Sequence, residues 1–162
     1  MMTQPTPAAR PIPEGYHTVT PALTVRGAAQ AIDFYTRAFG ARELGRMPAP
    51  DGQQIWHAEL QIGDARLMLA DEFPDMGGRA PAALGGTPVT LHLYVEDADA
   101  VVQRAVDAGA TLIQPLMDAF WGDRYGKLKD PFGHEWSVAT HVEDVSEEET
   151  RRRAEAFAAS SA

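Results

Sequence analysis

The chain contains no cysteine, which excludes a disulfide framework, a thiolate zinc site and a cysteine nucleophile. Any metal would have to be held by His, Asp or Glu. No apolar run approaches the roughly 20 residues needed to span a bilayer, and the opening segment MMTQPTPAARPIPEG offers no apolar core for a secretion signal. A cytoplasmic location without a membrane partner is therefore expected. Basic residues are outnumbered, with 14 Lys and Arg against 23 Asp and Glu and a formal net charge of −9. The basic triplet Arg151–Arg152–Arg153 lies in an acidic tail, so nucleic acid is not an expected partner. Serine is scarce as well: Ser137, Ser146, Ser160 and Ser161 sit in no Gly-x-Ser-x-Gly elbow. There is no Walker loop and no Gly-x-Gly-x-x-Gly after a strand.

What remains is an ordinary globular composition, 162 residues with 44% hydrophobic and 23% charged, which suits one domain or two small halves sharing a core. An internal repeat decides for the halves. VRGAAQAIDFYTRAFGA (25–41) and VEDADAVVQRAVDAGA (95–110) are two versions of one unit, each following a short β-type run. The first 16 residues carry Pro5, Pro7, Pro11 and Pro13 and read as an extended, flexible arm, because each proline removes a donor and restrains its predecessor.

The first module is expected over 17–72. His17 to Val25 reads as a strand, with Pro21 marking an edge or an irregular pairing. A helix over Ala28–Phe39 puts Ala28, Ile32, Tyr35 and Phe39 on one stripe, with Ala31 and Ala38 beside it, and Gly40 stops it. Residues 54–62 and 65–70 flank Gly63–Asp64 as a tight hairpin. Pairing Ile62 with Ala65 sets Leu60 opposite Leu67 and Glu59 opposite Met68. One face is then apolar, and the other carries His57, Glu59, Gln61 and Met68. Trp56 and Trp136 fall on the parity expected to be core.

Residues 73–88, with two Gly-Gly pairs and three prolines, read as a linker. The second module, 89–142, begins with Val89–Val95, whose parity separates Leu91, Leu93 and Val95 from Thr90, His92 and Tyr94. Asp97 or Asp99 caps a helix ending at Ala108–Gly109, with Val101, Val102, Ala105 and Val106 inward. Tyr125–Lys129 and His134–Thr140 flank the turn Asp130–Pro131–Phe132–Gly133. Residues 143–162 form an acidic tail in which Ser146-Glu147-Glu148-Glu149 is a capping box that starts a helix. The expected class is α+β, two βαβββ modules in tandem whose mixed sheets curl into a cleft, with a short C-terminal helix.

The segments IDFYTRAFGA, HAELQIGD and FWGDRYGKLKDPFGHEWSVATH, in that order on the repeated βαβββ pattern, resemble the vicinal oxygen chelate superfamily. That superfamily contains glyoxalases, bleomycin resistance proteins and extradiol dioxygenases, and the resemblance is closest to its PhnB-like group. The resemblance implies a homodimer and, in the metalloenzymes, a divalent cation held by one side chain from the first and one from the last strand of each module. Position by position those residues are Thr20, Met68, Thr90 and Ser137, none of which supplies imidazole or carboxylate. No cofactor is therefore expected.

A displaced cation site would need His57, Glu59, His92 and Glu135, all on the expected cleft parity, to converge from different strands; a half-solvated sheet shows the same alternation. Metal-free acid–base catalysis would use Glu59 or Glu135 with His92. The segment Phe120-Trp121-Gly122-Asp123-Arg124-Tyr125 and Tyr94 suit a planar or cationic ligand. The expected ligand contacts are Trp121, Arg124, Tyr94, His57 and His92, although Arg124–Asp123 would serve equally as an ion pair that orders the loop. The reading with most support is a small-molecule binding or sequestering protein. A lyase or isomerase is the alternative, and a purely structural dimer module the third possibility.

Overall fold

The computed structural model describes residues 6–161, so the first five residues of the expected arm lie outside the described residues. Two open four-stranded mixed sheets are present. The first has strands β1 (Ala22–Val25), β2 (Arg42–Pro48), β3 (Ile55–Ile62) and β4 (Ala65–Asp71) in the order β1-β4-β3-β2. The second has β5 (Thr90–Tyr94), β6 (Thr111–Asp118), β7 (Asp123–Lys129) and β8 (Glu135–His141) in the order β5-β8-β7-β6. In each sheet the first strand runs parallel to the last. Helices α1 (Ala28–Phe39) and α3 (Ala98–Ala108) make the two crossovers, and the duplicated α+β architecture is thus present.

Each helix is held by the strand that closes its own module. Asp71, at the end of β4, accepts hydrogen bonds from Gly27 N (2.9 Å), Ala28 N (3.0 Å) and Ile55 N (2.8 Å). Gly27 caps α1 with no side chain of its own, so this distant carboxylate satisfies the amides that a capping side chain would otherwise serve. At the equivalent place on β8, Thr140 Oγ1 accepts from Ala98 N (2.8 Å) and donates to Val95 O (2.9 Å), while Asp97 caps α3 locally.

The modules share one core. Leu23, Val25, Leu60, Leu67 and Leu69 of the first sheet join Leu128, Trp136 and Val138 of the second around α1 and α3, which pack on each other. Phe34 is buried beside the expected α1 stripe because the second module's Phe132 packs on it edge-on at 6.2 Å. Trp136 is 1% exposed, lies 5.3 Å from Tyr35 and 4.7 Å from Phe39, and donates to Asp130 at 2.9 Å. Burying rings of this size is worth about 2–3 kcal/mol each, and the Asp130 carboxylate also takes the Tyr35 hydroxyl at 2.5 Å.

The hairpin register matches the expectation: Ile62 opposes Ala65, Leu60 opposes Leu67, and Glu59 opposes Met68. Four expectations are corrected. The first strand begins at Ala22 rather than His17, because 17–21 leaves the sheet at Pro21. Trp56 is 43% exposed: a register shift lets Ile55 and His57 pair with the consecutive residues Pro48 and Met47, so the bulge turns Ile55 inward and Trp56 out. Val106 is 38% exposed because the inward stripe Ala98–Val101–Val102–Ala105 leaves it on the flank of α3. Finally, the linker holds a 3-10 turn (Pro74–Met76) and a one-turn helix α2 (Pro81–Leu84), each with proline in its first turn. Helix α4 (Glu147–Ser160) starts at Ser146, which accepts from Glu149 N. Among the described residues no helix is long and apolar enough to cross a membrane.

Candidate functional site

The segment entering β1 and the strand β5 border a pocket of about 270 Å³ between the modules. His17, Thr20 and Pro21 line it from the segment entering β1, Thr90 to Leu93 from β5, Arg66 and Leu67 from β4, and Trp136 from β8. Its size is at the lower end of small-molecule sites. Thr20 and Thr90, two of the four positions that the resemblance implies for a cation in the metalloenzymes, therefore reach one pocket. Met68 pairs with Ala22, and Ser137 with His92. Two hydroxyls, a thioether and a buried serine that is already hydrogen-bonded do not fit a divalent cation of that kind.

The outer face of the second sheet continues from this pocket through His92. Its Nδ1 lies 2.5 Å from Ser137 Oγ, and Ser137 is 2% exposed, so the buried hydroxyl orients an exposed imidazole. Tyr94 stands 4.7 Å from the His92 ring and Tyr125 lies 6.1 Å away, nearly parallel to it. Trp121 meets Tyr125 edge-on at 5.5 Å and Phe120 at 5.1 Å. Tyr94 is 65% and Trp121 37% exposed. His92, Tyr94, Tyr125 and Trp121 form a continuous aromatic shelf that is partly open to solvent.

Beneath the shelf lies Asp123, 2% exposed. One carboxylate oxygen accepts from Tyr94 OH (3.0 Å) and Trp121 Nε1 (3.0 Å). The other meets His141 Nδ1 at 2.8 Å, and His141 Nε2 meets Asp144 at 2.7 Å. Burial alone would push the Asp123 carboxyl up, but hydrogen bonds from His141, Tyr94 and Trp121 outweigh it and hold the group below the ordinary range. Asp144, and then Asp123, raise His141 above its ordinary value. The hydrogen bond to Asp123 pushes the Tyr94 phenol up, and burial adds to it.

The other expected residues are spread over both sheets and both faces. Arg124 alternates with Tyr125 and so points away from the shelf, where it makes a bidentate pair with Asp99 (3.0 and 3.1 Å) and reaches Asp118 at 3.4 Å. It orders the loop, though through those two aspartates and not Asp123. His57 and Glu59 lie on the first sheet, 3.5 Å apart; Glu135 lies on the second, 3.3 Å from Lys127. His57, Glu59, His92 and Glu135 thus divide two and two between the sheets. Among the described residues no three His, Asp or Glu gather as a metal site.

The end of the N-terminal arm folds over the first sheet. The Tyr16 ring lies 4.8 Å from the Arg66 guanidinium, and Glu14 O accepts from Arg66. The Tyr16 hydroxyl is enclosed without a well-aligned hydrogen bond, yet its position beside Glu59 holds that carboxyl below the ordinary range, with His57 adding to the effect against burial.

Sequence reasoning passed over Asp123 as a hub, His141 and Tyr16. The first two carried a signal: extending the pairing of Lys129 with Glu135 along the hairpin brings Asp123 opposite His141. No periodicity marked the Tyr16 contact.

Residues 16–138 match the Glyoxalase/Bleomycin resistance protein/Dioxygenase superfamily. An uncharacterized protein of Mycobacterium bovis, Mb0911c, is 54% identical over 134 residues, covering 81% of this chain and 88% of that protein. The X-ray structure of the Arabidopsis thaliana At5g48480 gene product superimposes with a TM-score of 0.62 at 31% identity, covering 76% of this chain and 98% of that one. The PhnB protein of Bacillus cereus shares the fold with a TM-score of 0.56 at 19% identity, over 76% and 99% of the two chains. With the repeated βαβββ architecture and this extent of match, the chain belongs to the glyoxalase, bleomycin resistance protein and dioxygenase superfamily.

Proposed function

We propose that the protein binds a planar, cationic small molecule on the aromatic shelf of its second sheet, where the inter-module pocket opens, and that it holds this molecule without transforming it. The observation that carries this reading is the chain of ring contacts joining Tyr94, His92, Tyr125 and Trp121, with Tyr94 and Trp121 exposed. Aromatic faces stack on planar systems and attract cations, and a net charge of −9 favours a cation over an anion at long range. The groups that a catalyst would need are already engaged: Glu135 by Lys127 and Glu59 by His57 and Tyr16. A second copy of the chain, which the family resemblance implies, is the partner this reading takes.

Calorimetric titration with ethidium, a planar aromatic cation, tests the proposal. Saturable binding is expected, unchanged by a chelator and weakened about tenfold by Trp121→Ala. Absence of binding, or full retention in Trp121→Ala, would sink the reading.

A second reading rests on His92, whose exposed imidazole is oriented by Ser137 as a general acid or base is oriented by its neighbour. It makes the protein a metal-free lyase or isomerase. It requires turnover of a carbonyl substrate that vanishes in His92→Ala and survives a chelator.

A further inference from the structure

We infer that Asp123 is the specificity-determining residue of the shelf, selecting cationic over neutral planar ligands, and that His141 sets the strength of that selection with pH. The inference rests on the shelf being the binding site. Its basis is a buried carboxylate joined directly to the edges of two ligand-facing rings. Tyr94 OH and Trp121 Nε1 donate to the same oxygen at 3.0 Å each, so the charge fixes both rings and feeds electron density into their faces. A ring with a negatively charged acceptor at its polar edge is a better partner for a cation. A neutral ligand of the same shape gains the stacking but not this electrostatic contribution.

The other oxygen of Asp123 is held by His141, which comes from the neighbouring strand β8 in direct register. The charged groups facing His141 are Asp123 from β7 and Asp144 from the segment after β8; Tyr94 and Trp121 reach it only through Asp123. With His141 protonated, the cluster carries two negative charges and one positive. When His141 loses its proton, the positive charge disappears and Asp123 acts on the shelf unopposed. The Tyr94 and Trp121 bonds use the oxygen that His141 does not touch, so the shelf keeps its shape through this titration. Affinity for a cation therefore rises with pH as His141 titrates, above the ordinary histidine range because its two aspartates hold the proton.

The experiment compares ethidium with uncharged phenanthridine, calorimetrically, between pH 6 and 9. Wild type should prefer ethidium, and the preference should grow a few-fold across the His141 titration, which is followed independently through the imidazole NMR signals. Asp123→Asn, whose amide oxygen can still accept from the two rings, should weaken ethidium binding about tenfold more than phenanthridine binding. His141→Gln, which preserves a donor, should abolish the pH dependence and guards against a folding failure in Asp123→Asn. An unchanged preference in Asp123→Asn, or a retained pH dependence in His141→Gln, overturns the inference while leaving the shelf as a binding site. If neither compound binds wild type, the shelf is not a site and both proposals fall.

Discussion

On the outer face of the first sheet, Glu59 is flanked by His57 and the Tyr16 phenol, and Arg66 is covered by the chain from Glu14 to Tyr16. On the outer face of the second, Tyr94 and Trp121 stand open around a buried Asp123. These faces belong to two copies of one repeated unit with the same strand order, so the difference lies in their side chains and in the arm that precedes the first copy. The two scaffolds share one architecture, one covered by the arm and one with its rings exposed. The asymmetry extends to the helix anchors, where Asp71 serves three amides and Thr140 only one.

The anchors offer the largest effect. Asp71→Ala strands the Gly27, Ala28 and Ile55 amides and should cost about 3 kcal/mol, whereas Thr140→Val, with Asp97 still capping α3, should cost about 1 kcal/mol. Urea denaturation of the two variants measures the contrast; equal losses would mean that the modules are anchored alike. A second contrast uses the two exposed tryptophans, Trp56 on β3 and Trp121 in the turn before β7. Trp121→Ala should weaken ethidium binding about tenfold, and Trp56→Ala should leave it within about twofold. Comparable losses would move the site off the second sheet.

The core was legible because it depends on periodicity. The bounds of α1, the Leu60–Leu67 register and the burial of Trp136 follow from spacing carried within one helix, one hairpin or one strand. What escaped depended on contacts between distant segments. The bulge that exposes Trp56 arises from pairing with β2, and the Tyr16 contact with Arg66 joins residues that no repeat relates. Arg124 is the instructive case: alternation alone separates it from Tyr125, yet grouping the segment Phe120–Tyr125 by composition placed both on one surface. Family membership was legible from motifs that shape the scaffold, whereas the shelf depends on Asp123, a residue whose partners become visible only after the hairpin register is extended to His141.

A smaller difference between the two faces should appear in acid. Asp123 is held below the ordinary carboxylate range in the folded protein, so its stabilising contribution is present above that range and is lost as pH falls through the depressed value. Glu59 follows the same sign, but its side chain is 34% exposed and solvent screens its partners. His141 has the opposite sign: its raised value gives a contribution that is complete below about pH 6.5 and disappears as pH rises through the folded value. Denaturation midpoints of Asp123→Asn and Glu59→Gln, taken from pH 7 down to pH 3, should show a flattened acid limb in the first and a nearly unchanged one in the second. A larger flattening in Glu59→Gln would reverse the assignment of the buried carboxylate to the second sheet.

The smallest effect belongs to Tyr16→Phe. The hydroxyl is enclosed and makes no well-aligned hydrogen bond, so its removal forfeits little. Relief of an unsatisfied buried hydroxyl and loss of its effect on the Glu59 carboxylate oppose one another, so the net change in stability at neutral pH should stay below about 0.5 kcal/mol. The ring would still pack on Arg66, and the arm should stay in place. Glu59 loses the neighbour that contributes most to its depression, so its carboxyl should move up toward the ordinary range. That shift can be followed by NMR titration of its side-chain carboxyl carbon. Tyr16→Ala, by contrast, removes the cover itself, and exchange of the amides in β3 and β4 then reports whether the first sheet was closed by this ring. Unchanged exchange in Tyr16→Ala would mean that the arm rests on the sheet without closing it, and the contrast between the two outer faces would reduce to the presence of aromatic rings on one of them.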